Sequence, residues 1–434
     1  MIDFIKRIVK GYIKDSQYKK NVLVMIVGRT VAQVIPILLT PLLTRIYSPS
    51  DFGIFGVFAT VVSLVAMVSN GRYCLSIVLP KDDEKAKRLF LLSSFLSILT
   101  TVVFAVVLLI WGEGFFSILN TTSLTQYLWI IVLNILFVAL YEDLYYYALR
   151  MKAFKLLTTN IIIQALVLIT SRLVFGYLGY TGVGLILSYL LGYAISYTLM
   201  IVRLKMPIYW LVKEFKIDTY WRLMKEYYKF PKYSLLADTL SITANMSPNI
   251  FLNKIFGSIT TGYYAMSDKI LGSPIWLVTS AVGDVFRQEA SEQFRTKGSC
   301  FEIFKKTVKT IFLVGIIPFG LLFIFSPYVI PFILGAEWEP VGNYIRIFSI
   351  MYFIRFIVRP VSFVIYIVRK QNVNVIFQVI NLASIILAFV IGFVTKNLSL
   401  CLISWSILSS IAYLIVLAYS YKFAKEIKYD SQED

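Results

Sequence analysis

Apolar runs of about twenty residues, broken by short polar stretches, follow one another along almost the whole chain. They fall at roughly 22–44, 52–71 (with an apolar continuation to 79), 89–111, 124–149, 158–178, 182–203, 233–253, 262–285, 308–332, 344–368, 373–395 and 399–421. Each is longer than an ordinary strand and matches the length at which a helix crosses the hydrocarbon of a bilayer. A helix also satisfies its own backbone groups in lipid. The pattern predicts an all-α integral membrane protein of about twelve transmembrane helices.

Composition agrees: 58% of the residues are hydrophobic and 15% charged. A soluble domain carries about 25% charged residues. The formal charge of +18 raises the question of a nucleic-acid partner. The basic residues instead cluster at the ends of apolar runs, where orientation signals lie, and no nucleic-acid-binding motif accompanies them. With the N-terminus inside, the cytoplasmic segments hold 32 Lys and Arg and the opposite face three, Arg45, Lys254 and Lys396. That asymmetry predicts cytoplasmic termini and an even number of spans. The basic, amphipathic N-terminal segment has no small-residue cleavage site and reads as a membrane-surface lead-in.

Several chemistries are excluded. There is no histidine, and the three cysteines (Cys74, Cys300, Cys401) are far apart, which removes His-containing zinc sets and Ser–His or Cys–His nucleophiles. No metal site or cofactor is expected. No Walker-type glycine loop occurs and no loop is long enough for an ATPase domain, so any transport is secondary.

A shift of 209 residues lays Leu43–Phe55 on Leu252–Tyr264, matching Arg45 to Lys254, Ile46 to Ile255, Tyr47 to Phe256 and Gly53 to Gly262. It also lays Arg29 on Asp238 and Thr40 on Asn249. A second match joins Tyr147–Arg150 to Tyr366–Arg369. The expected organisation is an N-terminal segment (1–21), an N-lobe (22–203), an amphipathic connector (204–232), a C-lobe (233–421) and a tail (422–434). The lobes would be related by a pseudo-two-fold along the membrane normal, a plan known among transporters. Chance similarity between apolar helices is the competing explanation.

Polar residues inside the spans recur at helical spacing. Arg29, Gln33 and Thr40 share a face of the first span; Ser234, Asp238, Ser241, Asn245 and Asn249 share one of the seventh. Tyr352, Arg355, Arg359 and Ser362 form a stripe on the tenth, and the eighth carries Asp268 beside Lys269. Seven cations (Arg29, Arg72, Arg172, Lys269, Arg346, Arg355, Arg359) face five carboxylates (Glu142, Asp143, Asp238, Asp268, Asp284). Intramembrane charges are costly and mark either internal ion pairs or a polar pathway. Pairing and snorkelling suit Arg72, Arg172, Arg346 and Asp284. Arg29, Arg355 and Arg359 lie deeper among neutral polar groups, and guanidinium grips phosphate or acidic sugars through paired hydrogen bonds. Asp238 and Asp268, with Glu142 and Asp143, are candidates for H⁺ or Na⁺ coupling; the alternative is that each neutralises a nearby cation, Lys269 in the case of Asp268. Aromatic residues of the connector (Tyr209, Trp210, Tyr220, Trp221, Tyr227, Tyr228) suggest an interfacial belt.

The segment LLTPLLTRIYSPSDFGIFGVF (Leu38–Phe58), followed by GRYCLSIVLPKDDEKAKRL, resembles the polysaccharide-transporter branch of the multidrug/oligosaccharidyl-lipid/polysaccharide (MOP) exporter superfamily, whose members include Wzx-type O-antigen and capsule repeat-unit flippases. The resemblance implies two six-helix lobes around a central cationic cavity in a bacterial cytoplasmic membrane. The implied substrate is an undecaprenyl-diphosphate-linked oligosaccharide, moved from the inner to the outer leaflet by alternating access. Glycan polymerase and chain-length proteins would be partners. Arg29, Lys269, Arg355 and Arg359, with Arg72, are the positions that match a cationic cavity, and Gln33, Thr40, Asn245 and Asn249 its neutral lining. Two other functions compete. A cation-coupled multidrug exporter would favour carboxylates and aromatics over surplus Arg. A membrane glycan polymerase or ligase would need a large outer loop with basic catalytic residues.

Overall fold

The structure, a computed structural model, describes residues 17–80, 82–204, 217–368 and 370–425. Most of the expected N-terminal segment, Tyr209 and Trp210 of the connector and most of the tail lie outside the described residues. Every regular element among the described residues is helical: α1 (Gln17–Leu38), α2 (Pro49–Ser69), α3 (Asp83–Ile118), α4 (Leu128–Arg150), α5 (Phe154–Tyr177), α6 (Gly182–Leu204), α7 (Ile217–Glu226), α8 (Leu235–Phe256), α9 (Ser258–Lys297), α10 (Phe301–Leu334), α11 (Glu339–Val361), α12 (Gln371–Thr395) and α13 (Leu398–Lys425), with short helical turns between them.

Nine helical stretches among the described residues, those of α2–α6 and α10–α13, are long and apolar enough to cross a membrane. The other three predicted spans, 22–44, 233–253 and 262–285, coincide with α1, α8 and α9. All three are helical. Along α8, Asp238, Asn245 and Asn249 interrupt the apolar pattern, and α9 carries Asp268 and Lys269.

Local chemistry sets the helix boundaries. Asp82 caps α3, its carboxylate accepting from the backbone N–H of Glu84 and Lys85 at 3.1 and 3.3 Å, the arrangement that satisfies orphan donors at a helix start. The Ser-Pro-Ser-Asp sequence opening α2 is a reciprocal cap. Ser48 donates through both its N–H (2.9 Å) and its hydroxyl (2.8 Å) to Asp51, whose own N–H donates back to Ser48 Oγ at 3.2 Å. Pro49 occupies the first helical position, where its missing N–H costs nothing. At the far end of α9, Gly298 adopts the left-handed conformation (φ +70°) and closes the helix.

The chain divides into two compact units: residues up to Ile46 with Phe58–Thr239, and Tyr47–Val57 with the residues from Leu240 onward. In the first, α1 packs on α5, α5 on α6, and α4 on both α3 and α6. Its core includes Tyr73, Cys74, Ile77, Leu89, Leu144, Leu157 and Met200. Tyr220 and Leu223 of α7 are buried in the same core, while Trp221 is exposed. The expectation of an interfacial belt is therefore corrected for Tyr220: α7 is amphipathic, and that ring lies on its packed face.

In the second unit α11 is central, packing on α9, α10 and α13, and α12 packs on α13. Aromatic rings fill the interior: Trp405 contacts Tyr264, Phe348 and Phe389 at centroid distances of 5.1, 4.9 and 5.5 Å. The first turns of α2 belong to this unit and cross the start of α9 at backbone distance. A Cβ on Gly53 would collide with the carbonyl of Ser258, and a Cβ on Gly262 with the carbonyl of Pro49. Ser50 Oγ and Ser258 Oγ lie 2.8 Å apart beside the crossing. The pairing is reciprocal at the repeat spacing: Ser258 is the counterpart of Pro49, and Gly262 of Gly53.

All three cysteines are buried and free. Between α9 and α10, burial pushes the Cys300 thiol up to about 11, which leaves it unreactive at neutral pH.

Candidate functional site: two polar clusters

The first cluster lies in the first unit, at the turn that ends α2. Gly71 and Arg72 both have positive φ (56° and 61°), a conformation that Arg rarely adopts. It turns the Arg72 side chain toward α4 and the first turn of α8. There Arg72 Nη1 donates to Glu142 Oε1 at 2.6 Å, and Nε to Asp238 Oδ2 at 2.7 Å, with Nη2 at 2.6 Å from the same oxygen. Arg72 is largely buried, Glu142 and Asp238 less so. Two carboxylates thus hold one guanidinium, the geometry of an internal ion triad.

Asn70 joins this triad to a third carboxylate. Its Oδ1 accepts the backbone N–H of Arg72 at 2.9 Å, and its Nδ2 donates to Asp143 Oδ1 at 3.1 Å. Asp143 is fully buried. Ser93 and Ser97, one turn apart on α3, complete its surroundings, donating at 2.5 Å to Oδ1 and 2.8 Å to Oδ2. Elsewhere in this unit Arg29 is exposed and donates to the Tyr145 hydroxyl. Gln33 is half-buried one turn further on. Thr40 is buried, its hydroxyl donating to the carbonyl of Pro36 at 2.7 Å; this is a local helix bond beside the proline.

The second cluster lies in the second unit, along α11. The Tyr352 hydroxyl donates to Asp268 of α9. Arg355 lies one turn down, with its guanidinium over the Tyr352 ring (5.7 Å to the centroid) and Nη2 3.5 Å from Asn245 Oδ1 of α8. Arg359, a further turn on, is exposed. Among the described residues neither Arg355 nor Arg359 forms a salt bridge. Asn249 lies against Gly56, its side chain 3.7 Å from where a Cβ would stand, and Lys269 is half-buried beside Asp268. Arg346 lies nearer the start of α11, exposed and over the ring of Phe323 (5.5 Å).

The candidates therefore fall into two groups. Arg72, Glu142 and Asp238 come together, with Asp143 next to them; Asp268, Arg355 and Asn245 come together through Tyr352. The sequence reading did not single out Asn70, Ser93, Ser97 or Tyr145 as site residues. The one-turn spacing of Ser93 and Ser97 within an apolar span was a usable signal. Nothing local marks Asn70 or Tyr145.

The all-α fold with several long apolar helices resembles that of solved transporters of the MOP superfamily. It matches the lipid II flippase MurJ in an inward closed conformation with a TM-score of 0.71 at 14% identity, covering 92% of this chain and 87% of that one. An inward-facing multidrug resistance MATE family transporter matches at 0.67 and 14% identity, over 94% and 96%. A MOP superfamily transporter from Pyrococcus furiosus Vc1 (DSM3638), described as having a binding pocket of reverse polarity, matches at 0.62 and 15% identity, over 94% and 95%. Sequence defines the particular family: the profile of the polysaccharide biosynthesis protein family matches residues 42–343, and the chain belongs to that family. No curated protein matches it significantly.

Proposed function

We propose that this protein is a flippase that carries a lipid-linked anionic oligosaccharide, of the undecaprenyl-diphosphate type, from the inner to the outer leaflet of a bacterial cytoplasmic membrane. The observation that carries the reading is the Arg355–Arg359 pair. Two guanidinium groups one turn apart on α11 form no direct salt bridge among the described residues, Asp268 reaching Arg355 only across Tyr352, and such cationic surplus within a membrane protein suits an anionic ligand. Diphosphate offers oxygens that guanidinium binds through paired, charge-assisted hydrogen bonds. Membership in a polysaccharide biosynthesis family supports a glycan as the rest of the cargo.

The loop-charge asymmetry supports cytoplasmic termini, and the 209-residue repeat supports two related halves that alternate access. Lys269 and Arg29 would extend the cationic path, with Gln33, Asn245 and Asn249 contributing neutral hydrogen bonds. In this reading Arg72 is a structural cation, since Glu142 and Asp238 already occupy it. Glycan polymerase and chain-length proteins would act on the product.

The test is to delete the gene and analyse the lipid-linked glycans of the cytoplasmic leaflet. Accumulation of one such glycan, reversed by the wild-type gene and not by the Arg355→Ala/Arg359→Ala variant, is expected. An unchanged glycan pool in the deletion strain would overturn the proposal.

A further inference from the structure

Glu142 and Asp143 are neighbours in sequence with opposite surroundings. Glu142 is met by Arg72 at 2.6 Å. Asp143, completely buried, receives hydrogen bonds only from the neutral groups of Ser93, Ser97 and Asn70. Among the described residues no Lys or Arg is within ion-pairing distance of it. Burying an uncompensated carboxylate inside a membrane-spanning bundle is costly. Taking up a proton removes that cost.

We propose that Asp143 is a proton-binding site whose occupancy is linked, through Asn70, to the ion triad of Arg72, Glu142 and Asp238. This inference rests on the reading of the chain as a transporter, and it assigns the coupling ion and its carboxylate.

The donor set decides between a proton and a metal cation. Hard cations take oxygen ligands. The orientation of Asn70 is fixed because its Oδ1 accepts the Arg72 N–H, so its N–H, not its oxygen, faces Asp143. A sodium ion there would meet an amide donor and at most two hydroxyls. A proton needs one carboxyl oxygen, and either serine hydroxyl can turn to accept from the neutral acid.

The linkage follows from the charges nearby. Glu142 on the same helix, Arg72 after α2, and Asp238 at the start of α8 form the triad; among the described residues Cys74 and, from α6, Tyr197 also interact electrostatically with Asp143. From α3 only the two serine hydroxyls face it. Proton release at Asp143 places a second negative charge beside Glu142, and the repulsion changes the balance with which Glu142 and Asp238 share Arg72. Asp238 stands in the first turn of α8, so the triad ties the proton site to the helix that also carries Asn245.

The experiment is infrared titration of the purified full-length protein in lipid nanodiscs, with no substrate present. Wild type is expected to show a protonated-carboxyl band that disappears as pH rises and is absent in Asp143→Asn. The Ser93→Ala/Ser97→Ala variant keeps the carboxyl but loses two donors to its charged form, so the midpoint should rise by about one pH unit. Glu142→Gln removes a like charge and should lower it. A band unchanged in Asp143→Asn overturns the site, and a midpoint unmoved in Glu142→Gln overturns the linkage. Because the titration needs no glycan, its failure would leave the flippase reading standing. A deletion strain with unchanged glycans would sink that reading and leave the titration intact.

Discussion

In the first unit Arg72 is gripped by two carboxylates at 2.6 Å, whereas in the second Arg355 meets an amide oxygen at 3.5 Å and the face of a tyrosine. Both are arginines among membrane helices, yet their energetic positions are opposite. The Arg72 cluster is closed: its charges answer one another, and an incoming anion would have to displace Glu142 or Asp238. The Arg355–Arg359 stripe is open, since among the described residues its charges have no salt-bridged partner. Under the proposed function the closed cluster holds helices together and the open one binds the anionic cargo.

The comparison can be broken most severely at the open cluster. Replacing Arg355 and Arg359 with Ala together removes at least two charge-assisted hydrogen bonds, each worth about 1.5–3 kcal/mol. Glycan export should fall by at least about a hundredfold while membrane insertion and thermal stability stay near wild type. Normal surface glycan with this variant would mean that the stripe is structural.

At the closed cluster the effect should move to stability. Arg72→Ala leaves two carboxylates facing each other, and breaking a buried pair costs about 3–5 kcal/mol, less here because Asp238 is partly exposed. We expect a loss of about 2–3 kcal/mol, read as a lowered unfolding temperature in detergent. A triple variant with Glu142→Gln and Asp238→Asn should recover much of it, and an unaltered Arg72→Ala melting curve would contradict the triad.

A smaller and more local effect is expected at the α2–α9 crossing. Gly53→Ala forces the backbones apart, and a Ser50→Cys/Ser258→Cys pair should cross-link on mild oxidation, since those hydroxyls are 2.8 Å apart and the native thiols are buried. Failure to cross-link would show that the two helix starts separate in the membrane. The smallest effect is the loss of a cap: Ser48→Ala should cost about 1 kcal/mol, and no measurable change would mean that Asp51 caps α2 unaided.

How much of this was legible in the sequence depends on the range of the interaction. Apolar periodicity reports each helix by itself, so elements and polar stripes emerged, including Arg355 with Arg359. The segment that holds the Ser-Pro-Ser-Asp cap stood out as a family-like motif and Gly53 with Gly262 as matched positions of the 209-residue repeat, but the cap and the crossing themselves were not read from them. Pairing was not legible. Asp238 shares a helical face with Asn245, yet its carboxylate is taken by an arginine 166 residues earlier, and helical spacing says nothing about that distance. The contrast between Glu142 and Asp143 was equally hidden, because adjacent residues on a helix point about 100° apart and meet different neighbours.

The crossing of α2 and α9 has the form of a two-fold dimer contact, in which one patch meets its own copy. Here both patches lie in one polypeptide, at the 209-residue spacing. Gly53 and Gly262 each keep a backbone clear for the other's helix. What blocks a side chain at each is a main-chain carbonyl, which no substitution can remove, so neither site can gain a Cβ without the two helix starts parting.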